Sequence, residues 1–160
     1  MSFLSVSHKA WENIDAVEYV GYDAVKPIKK TVENYYFPYT PNWQGVAALH
    51  TAAGMLLEEG LENSYNRHDT VARFCRNQLV EIGIELFPSD KAIPSPTVTA
   101  AKVPERFSWE TWDRRLRDQG LAVAGSYGPL AGKVFRLGHM GSQANRELMQ
   151  RAIAVIADAL

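Results

Sequence analysis

From Leu61 to Ile82 the apolar residues Leu61, Tyr65, Val71, Phe74, Cys75, Leu79 and Ile82 recur at helical spacing. A chain with this pattern must bury one long helical face, and Gly83 supplies the stop. Whatever covers that face has to come largely from the residues that follow, and these change character. Pro96–Val103 is β-branched and alternating, which predicts a strand, and Ile84–Phe87 predicts a shorter one. Ser108 is placed to cap a helix from Trp109 to Gln119 that ends at Gly120. Leu121–Ala124 and Val134–Leu137 predict two more strands joined by a glycine-rich loop. A last helix is predicted from about Ser142, its stripe formed by Leu148, Ala152, Val155, Ile156 and Ala159. The order strand, strand, helix, strand, strand, helix suits an α+β domain, a small and largely antiparallel sheet covered by helices.

Upstream, Val46, Leu49, Ala53, Leu56 and Leu57 predict another helix, running from Gln44 to the interruption at Gly60. Phe3–Ser7 alternates like a strand, and a short helix is expected through Trp11 and Ile14. Between Tyr19 and Asn42, Pro27, Pro38 and Pro41 break any long periodic element, leaving an extended, partly helical connection.

Composition narrows the function. With 17 Lys plus Arg against 18 Asp plus Glu, no net field draws the chain to nucleic acid or to an acidic membrane surface. No apolar run reaches the roughly 20 residues of a membrane span, and the N-terminus lacks the pattern of a secretory signal. The lone Cys75 forms no intrachain disulfide and suits a reducing, cytoplasmic setting. His8, His50, His68, His139 and Cys75 show no metal-ligand spacing. Gly128–Lys133 imitates a phosphate-binding loop but is one residue short, and Val134 follows where a hydroxyl is needed.

The informative segment is Gly132-Lys133-Val134-Phe135-Arg136-Leu137-Gly138-His139-Met140-Gly141. It sets one arginine at the end of an apolar strand between glycines, with no acid nearby in sequence. A guanidinium so placed can grip a carboxylate through two parallel hydrogen bonds. Its competitor is an ordinary surface ion pair. His139 is expected either beside Arg136 or as a loop histidine facing solvent. His68 and Cys75, a helical heptad apart, read as packing or surface residues. Asp113–Asp118 reads as the solvated face of a helix.

Four stretches extend this reading: Gly-Leu-Glu-Asn-Ser-Tyr-Asn-Arg-His at 60–68, Pro-Thr-Val-Thr at 96–99, the arginine segment at 132–141, and Tyr-Thr-Pro at 39–41. In order and spacing they resemble the C-terminal portion of class V aminotransferases, the pyridoxal-phosphate enzymes of the alanine–glyoxylate and serine–pyruvate type. The resemblance implies a small C-terminal domain of the aspartate-aminotransferase-like fold at residues 61–160. Residues 1–60 would then be a remnant of the large cofactor domain. It implies that Arg136 holds the substrate carboxylate and that Thr40 reaches the phosphate of pyridoxal 5'-phosphate from a neighbouring subunit of a homodimer. On the residues alone, Thr40 serves equally well as a helix cap. Phe37 stands where many relatives carry a phosphate-binding tyrosine, leaving Tyr36 or Tyr39 to substitute. The substrates implied are a small amino acid (alanine or serine) and a 2-oxo acid (glyoxylate or pyruvate).

The lysine that such chemistry needs is not matched by any residue here. Lys9 follows a serine-bearing run, but its surroundings align with the strand and helix after the family's lysine motif. The resemblance therefore places that lysine before Met1, in a longer polypeptide, and implies that these residues alone are inactive. The other readings are a non-catalytic module that binds carboxylates or assembles with a partner, and a cysteine desulfurase. For the latter Cys75, inside a helical stripe, is poorly placed.

Overall fold

In a computed structural model that describes residues 3–19 and 21–160, the chain falls into two compact units, Met1–Met55 and Leu56–Leu160. Among the described residues no helix is long and apolar enough to cross a membrane.

The first unit holds α1 (His8–Ala16) and most of α2 (Trp43–Glu59), with a short turn of 3-10 helix at Lys26–Ile28 between them. Ser7 caps α1 by accepting from the Ala10 amide at 3.2 Å. Phe3–Ser7 is irregular rather than a strand. Its alternation is real, but a strand needs a neighbour to take its hydrogen bonds, and Phe3 is left 74% exposed. Helix α2 buries no residue, so Trp43, Val46, Met55 and Leu57 lie bare along it.

The second unit carries α3 (Leu61–Glu81), β1 (Val98–Lys102), α4 (Trp109–Asp118), β2 (Ala124–Gly125), β3 (Val134–Gly138) and α5 (Arg146–Ala159). The strands form one antiparallel sheet in the order β1-β3-β2. The predicted Ile84–Phe87 strand contracts to a single bridge, Leu86 with Ala101. The predicted Leu121–Ala124 strand shifts and shrinks to Ala124–Gly125, because the residues before it diverge from β3 to line a cavity.

Alternation along β3 turns Phe135 and Leu137 toward the helices, where they meet Cys75 and Leu79 of α3, Trp112 and Leu116 of α4, and Ile153 and Ile156 of α5. Trp112 is fully buried, stacked on Phe107 at 5.5 Å and tilted against Phe135 at 5.9 Å. Ser108 caps α4 as expected, accepting from the Thr111 amide.

Helix α5 departs from its predicted start and, in part, from its predicted face. A 3-10 turn occupies Gly141–Gln143, and Asn145 is the true cap, accepting from the Leu148 amide at 3.0 Å. The buried stripe is Met149, Ile153, Ile156 and Ala159. Of the predicted stripe Ile156 and Ala159 are buried, Ala152 and Val155 are partly buried against the core, and these two line the cavity together with Leu148. In α3 only the C-terminal part of the stripe (Val71, Cys75, Leu79) is buried, while Leu61 and Tyr65 are exposed.

Candidate functional site

Arg136 lies at the centre of β3, opposite Ala100 of β1 on one side and Ala124 of β2 on the other. Strand alternation turns it away from Phe135 and Leu137, onto the sheet face opposite the helices. Its neighbours on that face, Ala100, Ala124 and Gly138, are small, so nothing long crowds the guanidinium.

Two contacts hold the guanidinium. Nε donates to the Gly125 carbonyl at 3.0 Å, and the Tyr127 ring faces it with the centroid 5.5 Å away. Gly125 is required where it stands, because a Cβ there would come within 2.9 Å of the Trp109 ring. Among the described residues no carboxylate pairs with Arg136 and its Nη atoms make no hydrogen bond. The ion-pair alternative is thus not what the chain adopts. The free Nη donors are the part of the fork that a carboxylate takes.

A cavity of about 620 Å³ opens beside Arg136. Gln143 and Arg151 give its wall polarity, and Leu121, Leu148 and Val155 give it apolar surface. None of its lining residues is a lysine, aspartate or glutamate. Arg136 and Arg151 are its only charged lining residues, so the wall offers no carboxylate base and no lysine amine for covalent chemistry.

His139 is neither beside Arg136 nor in solvent. One residue beyond β3, it shares the helix-facing side of Leu137 and is fully buried. Nδ1 donates to the Pro96 carbonyl at 3.2 Å, and Nε2 accepts from the Thr99 hydroxyl at 2.9 Å. Burial holds its pKa below the ordinary histidine value, so the ring is kept neutral. Cys75, in the same core, is fully buried, and burial pushes its thiol pKa above the usual range. A buried thiol of that kind is a poor nucleophile, which removes the structural basis for desulfurase chemistry at Cys75.

The turn after β3 is held from α3. His68 Nδ1 donates to the Ser64 carbonyl at 2.7 Å, leaving Nε2 to accept from the Gly141 amide at 2.9 Å. Arg67 pairs with Glu59 through Nε and Nη2, and its Nη1 donates to the carbonyls of Gly141 (2.7 Å) and Ala144 (2.9 Å). Gly141 adopts φ +58, a left-handed conformation suited to glycine, with both its amide and its carbonyl engaged. The same turn brings Gln143 to the cavity wall. The residues alone did not mark Arg67 and His68 as turn holders, since both partners lie more than 70 positions away.

Thr40 and Tyr39 belong to the first unit. The Tyr39 hydroxyl donates to the Tyr22 carbonyl at 2.5 Å, and its ring meets Tyr22 at 5.0 Å. Thr40 is exposed and does not cap α2. Asn42 does, its side chain accepting from the Gly45 amide at 3.0 Å.

With this geometry in place, known proteins can be set beside the chain. No protein-family profile matches it. It is 39% identical over 153 residues to an uncharacterized aminotransferase of Methanocaldococcus jannaschii, an alignment covering 93% of this chain and 40% of that protein. It is 37% identical over 117 residues to the alanine–glyoxylate aminotransferase of Oryctolagus cuniculus, covering 72% of this chain and 30% of that protein. The crystal structure of an alanine–glyoxylate aminotransferase from Nostoc sp. superposes with a TM-score of 0.87 at 25% identity, covering 96% of this chain and 42% of that one. The fold and these relatives define an aminotransferase segment. The chain is similar to the C-terminal part of class V aminotransferases of the alanine–glyoxylate type, and it spans well under half the length of the relatives it matches.

Proposed function

We propose that this chain is the carboxylate-holding part of a pyridoxal-phosphate-dependent transaminase that moves an amino group between a small amino acid such as alanine or serine and a 2-oxo acid such as glyoxylate or pyruvate. The observation that carries the reading is the Arg136 guanidinium, held by Gly125 and Tyr127 yet free at both Nη atoms on the sheet face turned away from the helices. Arg136 binds and orients the substrate carboxylate and breaks no bond. Residues 61–160 act as the small domain and 1–60 as part of the large one.

The chain fits the cofactor only at its margin. Pyridoxal phosphate supplies an electron sink when bound, and its anchoring takes a lysine, an acidic partner for the ring nitrogen and donors for the phosphate. The cavity beside Arg136 is lined by neither lysine nor acid. Thr40, exposed and free of the capping role, is the phosphate contact we assign. Tyr39 joins it by exchanging its bond to the Tyr22 carbonyl. The bare apolar side chains of α2 support a role inside a longer polypeptide and a homodimer.

On this reading the 160-residue chain is inactive by itself. Incubation with pyridoxal phosphate followed by borohydride should give scattered, substoichiometric lysine labelling. One lysine labelled to stoichiometry would show that the chain carries its own covalent anchor. For the carboxylate grip, pyruvate titrated into ¹⁵N-labelled chain should cause saturable shifts around β3 that Arg136→Gln abolishes.

A further inference from the structure

We infer that Tyr127 is a positioning residue for Arg136, one that fixes the plane of the guanidinium so that only its Nη edge is presented to a carboxylate. The inference rests on the carboxylate reading of Arg136 above. An arginine side chain free to rotate loses that freedom when a ligand binds, and the loss weakens the complex. Arg136 has been spared much of it. Nε is pinned in the guanidinium plane by the Gly125 carbonyl at 3.0 Å, and the Tyr127 ring lies 5.5 Å from the guanidinium carbon. One contact fixes the direction of the group and the other restrains its tilt, leaving the two Nη atoms free.

Tyr127 has little else to do in the fold. It is 80% exposed and belongs to no core cluster. Its backbone is fixed all the same. The carbonyl accepts from the Leu130 amide at 3.1 Å, starting the 3-10 turn Gly128–Leu130, and Gly125, two residues back, is locked beneath Trp109. The turn therefore delivers an aromatic ring to Arg136 without burying it. Arg115 offers a contrast: it also stacks on an aromatic ring, Phe107 at 4.7 Å, but spends Nη1 on the Ala159 carbonyl at 3.0 Å and so closes a helix end.

The exposure of Tyr127 makes the test clean, because its substitutions should fold. Pyruvate is titrated into ¹⁵N-labelled full chain and followed at the amides of β3, with thermal unfolding recorded for each variant. Tyr127→Ala should bind pyruvate about two- to five-fold more weakly, a loss of the order of an exposed cation–π contact, while the unfolding midpoint falls by no more than the loss of that one surface contact. Tyr127→Phe keeps the ring and should bind like the wild type. Wild-type affinity in Tyr127→Ala would overturn the inference, as would a Tyr127→Phe variant as weak as the alanine. Saturable binding that survives Arg136→Gln, or no saturable binding by the wild type, would instead remove the carboxylate reading on which it stands.

Discussion

Helices α2 and α5 look alike on paper and end differently. Helix α2 is the more apolar of the two, yet none of its 17 residues is buried. Helix α5 has 14 residues and buries Met149, Ile153, Ile156 and Ala159. An apolar stripe states only that a helix needs a partner. The sheet, α3 and α4 supply that partner for α5, and among the described residues none buries a side chain of α2. The second unit accordingly owns nearly all of the buried apolar residues, and Ala24 is the one such residue of the first among those described.

The largest effects should fall on the second unit. Leu79→Ala or Trp112→Ala removes a fully buried side chain and should cost about 3–5 kcal/mol in urea unfolding. Leu57→Ala, at a position 72% exposed on α2, should stay within about 0.5 kcal/mol. A large loss from Leu57→Ala would mean that the helix is covered after all.

Next in size is the polar scaffold behind the arginine strand. Thr99→Val removes the donor to His139 and leaves a buried ring nitrogen unpaired, a cost of about 1–3 kcal/mol by equilibrium unfolding. His139 also predicts a pH signature. Its pKa is lowered by burial, so below the ordinary histidine value of 6.5 the unfolded chain takes up a proton that the folded chain refuses. Stability should be full above that pH and fall as the pH drops from it toward the depressed folded value. His139→Gln should flatten that portion of the profile, and an unchanged slope would assign it to another group.

The smallest effect belongs to the first unit. Asn42→Ala should cost about 1 kcal/mol or less, read as lost helicity by circular dichroism, while Thr40→Ala should leave helicity unchanged. If Thr40→Ala were the costlier change, its hydroxyl would be a cap rather than a free donor.

How far the sequence could be read follows the same division. Helices α3 and α4, strands β1 and β3 and the Ser108 cap were legible because local pattern and tertiary partner agree there. Phe3–Ser7 misled because alternation cannot reveal whether a neighbouring strand exists. The α5 stripe was partly legible: Ile156 and Ala159 are buried as read, while Leu148, Ala152 and Val155, as apolar as Met149 and Ile153, lie at its edge. The lack of an acid near Arg136 was legible in the sequence, and the lack of an ion pair there among the described residues agrees with it. The Tyr127 contact and the Arg67–His68 hold on Gly141 were not, since each joins residues that only the tertiary fold brings together.

Helix α5 therefore answers to two masters. Met149, Ile153 and Ile156 close the core, while Leu148, Ala152 and Val155, on the adjoining strip, wall the cavity beside Arg136. A molecule lodged there leans on the same rod that keeps the unit folded. Occupancy of the cavity and integrity of the core are thus linked, so any ligand that binds there only in the folded state stabilises the unit by RT ln(1 + L/Kd), with L its free concentration. Loosening the core from within must weaken the grip in return.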